Sequence, residues 1–264
     1  VTEIDLIADP HAKMGFFTDV TLCIGCKACE VACKHWNELP ADGYAMSGNS
    51  YDNTNRLSSE TWRHVAFVEQ MDRVNPLDSR WMMMSDVCKH CTNAGCLEAC
   101  PTGAIVRNEF DDVYVQPDIC NGCGYCVPSC PFGVVAVSHE TGLAQKCTLC
   151  YDRQKDGMEP ACAKACPTDS ILFGPIEQLK ATATARLEKL NAQGKNVRIY
   201  GLGEDMGAVG DLNAFFMIPD RPEVFNLPPR PVLPSTFQRT AYTSAFIAAM
   251  GLGIIAWNVL AAKD

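Results

Sequence analysis

The chain has 264 residues, 47% of them hydrophobic, enough to bury a sizeable core as one large domain or two small ones. A net charge of −9 with no basic stripe excludes a nucleic-acid binder. Sixteen cysteines are too many for core filling, and all of them fall in four groups of four with none left over.

Val1 to Phe17 shows no basic start followed by an apolar run, so no cleavable secretory signal is read there. Densely repeated Cys-x-x-Cys pairs then favour a metal over disulfides. Gly15–Asp19 reads as a strand leading into the first quartet, Cys23, Cys26, Cys29 and Cys33, spaced x2-x2-x3. No proline closes this run, so a helix is expected from Cys29 to Trp36. Pro40 to Ser59 is rich in Gly, Asn, Ser and Asp and reads as a surface loop. Trp62–Glu69 alternates and is β-rich, with Arg80–Ser85 as its partner strand; Met82, Met83 and Met84 read as adaptable filler.

The second quartet is Cys88, Cys91, Cys96 and Cys100, followed by Pro101. Gly103–Arg107 and Asp112–Gln116 read as a short hairpin. The third quartet, Cys120, Cys123, Cys126 and Cys130 before Pro131, has the bacterial ferredoxin spacing for a cubic iron-sulfur cluster. Its x2 steps wrap three corners of a cube, while x3 carries the last sulfur about one helical turn on, toward a second cluster. Gly133–Val137 and Leu143–Gln145 repeat the hairpin. The fourth quartet is Cys147, Cys150, Cys162 and Cys166, with Pro167 after it and a charged insert from Tyr151 to Pro160. A cysteine run, a Cys-Pro step and a short β hairpin thus recur, which points to two ferredoxin-like modules in an α+β chain.

Pro175–Gln193 reads as an amphipathic helix with Ile176, Leu179, Leu187 and Leu190 on its apolar face. Val197–Tyr200 follows as a strand. Gly201–Gly210 is glycine-rich but lacks a dinucleotide fingerprint. The proline-dense stretch from Pro219 to Pro234 is expected to run extended over a surface. Ala241–Ala262 carries no charge over 22 residues, a helix of about 33 Å, long enough for a bilayer core. Tyr242 and Trp257 near its ends, with Arg239 and Lys263 outside it, read as interface anchors. Ala245, Ala249 and Gly253 form a small-residue stripe suited to another membrane helix.

Zinc is the rival metal, and the second and fourth quartets alone could pass for zinc sites; the compact first and third do not. Four oxidised clusters at about −2 each would take the chain to roughly −17. Lys27, Lys34, Lys89, Lys146 and Lys164 lie beside cysteines and either offset that charge or are simply solvated. His35 and His90 adjoin ligand positions, and an ordinary hydrogen-bonding role is expected of them. There is no Walker lysine motif, nucleophile elbow, His-Glu-x-x-His or haem-attachment sequence. Redox centres without substrate chemistry describe a conductor of electrons.

The four quartets, in this order and with these inserts, resemble the four-cluster iron-sulfur subunits of dimethyl-sulfoxide-reductase-type molybdenum or tungsten oxidoreductases. The resemblance runs from Gly15 to about Gly174. Within that group Gly15–Asp19, Cys23–Cys33, Glu60–His64 and Cys147–Arg153 are most similar to the β subunit of membrane-bound respiratory formate dehydrogenase, as is the terminal helix. The resemblance implies four 4Fe-4S clusters. It pairs the first quartet with the fourth and the second with the third, each fourth cysteine serving the other cluster of its module. One cluster then takes Cys23, Cys26, Cys29 and Cys166, and its partner Cys147, Cys150, Cys162 and Cys33. The inner module holds Cys88, Cys91, Cys96 and Cys130 on one cluster and Cys120, Cys123, Cys126 and Cys100 on the other.

The implied fold is therefore two ferredoxin-like di-cluster modules related by a pseudo-twofold, one inserted in the other. The outer module spans residues 1–36 and 137–174, with an insertion at 37–87 and the inner module at 88–136. Residues 175–240 form a docking arm and 241–262 a transmembrane helix. The implied role is a non-catalytic electron-transfer subunit. It carries electrons from a molybdenum- or tungsten-pterin subunit that oxidises formate to a membrane cytochrome b or quinone-binding subunit. The plasma membrane is the expected location, on a side the balanced Arg239 and Lys263 leave open. The alternatives are the same subunit of a hydrogenase or sulfur-compound reductase, and a zinc-stabilised interaction module.

Overall fold

The computed structural model describes residues 12–43, 46, 48 and 51–261. The expectations on Val1 to His11, on parts of the Pro40–Ser59 loop, and on Ala262, Lys263 and the side chain of Arg239 lie outside it. In chain order the elements begin with β1 (Met14–Asp19), α1 (Ala28–Trp36), β2 (Arg63–Gln70) and β3 (Arg80–Val87). Next come α2 (Gly95–Glu98), β4 (Ile105–Arg107), β5 (Val113–Val115), α3 (Cys126–Ser129), β6 (Ala136–Val137) and β7 (Ala144–Gln145). Then follow α4 (Tyr151–Lys155), α5 (Ala161–Lys164), β8 (Ile171–Pro175), α6 (Ile176–Ala192), β9 (Arg198–Tyr200), β10 (Ala214–Ile218) and α7 (Gln238–Ala261).

One four-stranded sheet, in the order β8-β1-β10-β9, organises the molecule. β1 runs parallel to β10, and β8 and β9 flank them antiparallel. Every residue of the two central strands is buried, as expected of strands covered on both faces. Their alternation divides the interior. Phe17, Phe215 and Met217 face α6 and pack on Ile176, Leu179, Ala183 and Leu190. Phe16, Ala214, Phe216 and Ile218 face the other way, into the core that contains the buried cysteines. The stacked rings of Phe17 and Phe215, 5.4 Å apart, tie β1 to β10 on the helix side.

The cysteine-bearing part is built from two-stranded hairpins, β2–β3, β4–β5 and β6–β7, and from helices of one turn. α1 packs on α5, and α2 packs on α3. The expected strand at Gly15–Asp19, the helix to Trp36 and the amphipathic helix after Pro175 appear as β1, α1 and α6. β10 has no counterpart in the sequence reading. The proline-dense stretch departs from an extended path. It makes a 3-10 turn at Pro222–Phe225, where Phe225 and Leu227, with Leu233 beyond, sink into the main core.

α7 is long and apolar enough to cross a membrane by length and composition. Phe246, Ile247, Met250, Leu252, Ile254, Ile255 and Trp257 all stand exposed on it. A surface of that kind needs lipid or another apolar helix around it. Before α7, a 3-10 turn at Pro234–Phe237 packs against α2.

Candidate metal centres

The backbone repeats in all four cysteine runs. The residue just before the second cysteine has positive φ each time: Gly25 at 68°, His90 at 44°, Gly122 at 71° and Leu149 at 56°. A left-handed residue in a tight turn directs neighbouring N–H groups inward, the concavity iron-sulfur sites use. Glycine takes this conformation freely. A Cβ at Gly122 would also lie 2.2 Å from the carbonyl oxygen of Gly142, so the loop is closed on both counts. His90 and Leu149 hold the same turn at some cost in strain, and both are buried.

The structure brings the sixteen cysteines into four neighbourhoods. One cavity is lined by Cys23, Cys26, Cys29 and Cys166, with Val65, Ser85 and Ile171 closing it. A second is lined by Cys88, Cys91, Cys96 and Cys130 and walled by Val113, Val134 and Val135. Cys33, Cys88, Cys150 and Cys162 lie close enough to Cys147 for their charges to raise its pKa, after burial, which is the larger cause. Cys120, Cys100 and Cys123 act in the same way on Cys126. Cys26 and Cys123 are exposed, while Cys29, Cys33, Cys88, Cys96, Cys126, Cys147, Cys150 and Cys162 are buried.

Burial pushes the Cys29, Cys96 and Cys150 thiols up to about 12 and Cys126 to about 11. Such thiols ionise only beside a cation, and iron supplies one on binding. Hydrogen-bond donors already point at sulfur. The N–H of Ala144 lies 3.4 Å from Cys120 Sγ, and that of Leu149 3.3 Å from Cys147 Sγ. The Cys-Pro-Thr steps place Thr102 Oγ1 3.6 Å from Cys100 Sγ and Thr168 Oγ1 3.8 Å from Cys166 Sγ.

Two of the five lysines beside cysteines are buried rather than solvated. Lys146 is 2% exposed, with Nζ 3.5 Å from Cys88 Sγ, 3.1 Å from the carbonyl of Cys147, and also on the carbonyl of Val113. Burial opposes its charge, but Cys88, Cys96 and Cys147 outweigh burial and raise its pKa. Lys89 pairs with Asp86 and lies 5.4 Å from the Phe132 ring centroid and 5.2 Å from that of Phe216. Lys27 and Lys34 are matched at 2.8 Å by Asp52 and at 2.9 Å by Asp42. His90 is held neutral by burial and by Lys146, and its Nδ1 accepts the N–H of Val113 at 3.1 Å. Arg63, fully buried at the start of β2, was not singled out by sequence reasoning. The signal was an arginine opening a strand whose next apolar residues are Val65, Ala66, Phe67 and Val68.

Among the described residues no group of three or more His, Cys, Asp or Glu side chains is arranged to hold a single metal ion. A tetrahedral zinc site closes four ligands on one point, at about 2.3 Å for sulfur. Four soft donors around a cavity, N–H groups aimed at sulfur and buried cations alongside fit a 4Fe-4S cluster instead.

Family comparison agrees with this chemistry. Two matches to a 4Fe-4S dicluster domain cover residues 79–176 and 22–104. Two dicluster domains imply four clusters. The formate dehydrogenase iron-sulfur subunit of Haemophilus influenzae is 37% identical over 255 residues, covering 94% of this chain and 79% of that protein. The formate dehydrogenase-O iron-sulfur subunit of Escherichia coli K12 is 40% identical over 86% of this chain and 75% of its own length. A subunit of the anaerobic dimethyl sulfoxide reductase of the same organism is 33% identical over 64% of this chain and 76% of its own length. The chain therefore belongs to the formate dehydrogenase iron-sulfur subunits, electron-transfer proteins built on 4Fe-4S dicluster domains.

Proposed function

We propose that this chain conducts electrons from a formate-oxidising molybdenum- or tungsten-pterin subunit to a membrane cytochrome b or quinone-binding subunit. A 4Fe-4S cluster supplies one-electron transfer without proton chemistry when bound. The sixteen cysteines hold four clusters: Cys23, Cys26, Cys29 and Cys166; Cys147, Cys150, Cys162 and Cys33; Cys88, Cys91, Cys96 and Cys130; Cys120, Cys123, Cys126 and Cys100. The modules are nested, the outer at 1–36 and 137–174 around the inner at 88–136. The similar packing of α1 on α5 and of α2 on α3 supports a pseudo-twofold between them.

Neighbouring sets are linked by close cysteine pairs. Cys29 feels Cys162, Cys147 feels Cys88, and Cys96 feels Cys126. This succession of neighbours supports a linear wire in the order just given, with the exposed Cys26 at one end and the exposed Cys123 at the other. The segment leading into α7 supports an assignment of the ends. A Cβ on Gly95 of α2 would lie 3.3 Å from Leu233 and 3.4 Å from Pro234, so the membrane helix departs beside the inner module. Electrons thus enter at the Cys23 set and leave from the Cys120 set toward the bilayer, where α7 anchors the subunit in the plasma membrane.

The observation that carries this reading is similarity to formate dehydrogenase subunits extending over nearly the whole chain. The relatives from dimethyl sulfoxide reductase support the same role in a sulfur-compound reductase, but they match only 64% of it. The test is Cys126→Ala in the assembled complex. Formate-to-quinone turnover should stop while dye-linked formate oxidation by the catalytic subunit continues. Equal loss of both in an intact complex refutes the conductor role.

A further inference from the structure

Arg63 is the largest side chain fully buried among the described residues, at 1% exposure. No carboxylate among the described residues forms an ion pair with it. Its Nη1 donates to Ser85 Oγ at 3.2 Å, and the same hydroxyl oxygen lies 3.2 Å from Cys29 Sγ. Its Cζ stands 4.6 Å from the ring centroid of Phe16, which fixes the guanidinium plane from the β1 side. Nε and Nη2 have no hydrogen-bond partner among the described residues. A buried, unpaired guanidinium with two free donors costs several kcal/mol unless anionic acceptors surround it.

The surroundings supply such acceptors. Burial works against the Arg63 charge, yet the thiolates of Cys162, Cys29, Cys147 and Cys33 outweigh it. Cys29 belongs to the first cluster set, and the other three to the second. The guanidinium touches the first set through Ser85 and Cys29, and its strand β2 packs on α1, the helix that carries both Cys29 of the first set and Cys33 of the second.

We infer that Arg63 is a potential-setting residue shared by the two outer clusters. Its fixed charge, and the N–H groups of Nε and Nη2 for which cluster sulfur would supply acceptors, stabilise the reduced form of each. An electron arriving on either centre adds one negative charge, the guanidinium compensates it, and no proton moves. The inference rests on the sixteen-cysteine assignment above.

The test is a potentiometric titration, followed by electron paramagnetic resonance, of the assembled complex carrying Arg63→Gln or Arg63→Lys. Iron content equal to that of the unsubstituted complex is the entry condition. In Arg63→Gln, two of the four clusters should show at least a tenfold lower reduced-to-oxidised ratio at fixed potential, about 59 mV for a one-electron couple. The other two should not move, and Arg63→Lys should recover most of the shift. All four midpoints unchanged at full iron content would overturn the inference and leave the cluster assignment standing. Low iron in the unsubstituted complex would sink that assignment instead. Should Arg63→Gln lose its clusters, the unsubstituted complex labelled with 15N in its arginine guanidinium groups decides. Pulsed resonance on the reduced outer clusters should detect a 15N coupling that Arg63→Lys, which keeps every other arginine, abolishes. Absence of that coupling overturns the inference.

Discussion

Asp112 is a buried carboxyl at the edge of β5 whose Oδ2 accepts from Gln154 at 2.7 Å and Asn108 at 3.1 Å, while Oδ1 has no partner among the described residues. Burial raises its pKa from 3.8 to about 7 against those hydrogen bonds. The native state thus holds a proton that the unfolded chain releases earlier. The stability it contributes is complete below about pH 4 and is lost as pH rises toward 7. Asp112→Asn keeps the neutral form at all pH values. Its advantage over the unsubstituted protein should therefore grow from pH 5, where only part of that stability has been lost, to pH 8, where all of it has, by an amount on the order of a few kcal/mol. Thermal unfolding at the two pH values checks this, and an equal offset at both contradicts it. The contrast with Lys146 and Arg63 is one of neighbours: those cations face thiolates and keep their charge, whereas Asp112 is neutralised by burial.

At the scale of elements, the cysteine loops depend on a turn that two glycines adopt without strain. Gly122→Ala adds a Cβ at φ 71° and sets it 2.2 Å from backbone at Gly142. We expect loss of the cluster nearest the Cys123 end, about a quarter of the iron, with the other three retained. Iron analysis and resonance spectra of the substituted protein measure it. The elements legible in the sequence were those with a strong local pattern, such as β1, α1, the β2–β3 hairpin and α6. β10 was not legible. Its Ala-Phe-Phe-Met-Ile run is apolar without alternation because both faces are buried, so periodicity could not separate it from a buried helix. The proline-dense stretch misled in the opposite direction, since Phe225, Leu227 and Leu233 anchor it by tertiary burial that composition does not register. The cysteine positions were plain from spacing. Arg63 was hidden because its partners come from α1, β3, the Cys147 run and α5, none adjacent to it in sequence.

At the scale of the whole molecule, one sheet separates two functions. Its α6 face is an ordinary apolar core. The opposite face, carrying Phe16 and Phe216, holds the buried cations Arg63 and Lys89 against aromatic rings beside the cysteines. The chain starts from −9, and four clusters take it further negative, so cations in the gaps keep so much charge compatible with a dense interior. α7 adds the remaining part, an apolar helix whose lead-in turn packs on α2. The central claim is that this subunit is a four-cluster conductor. Iron and acid-labile sulfide counted per chain in the purified, membrane-extracted complex, after subtracting the catalytic subunit's own content, test it most directly. The account predicts about sixteen of each per chain. Zinc in place of iron, or iron for only two clusters, would contradict it.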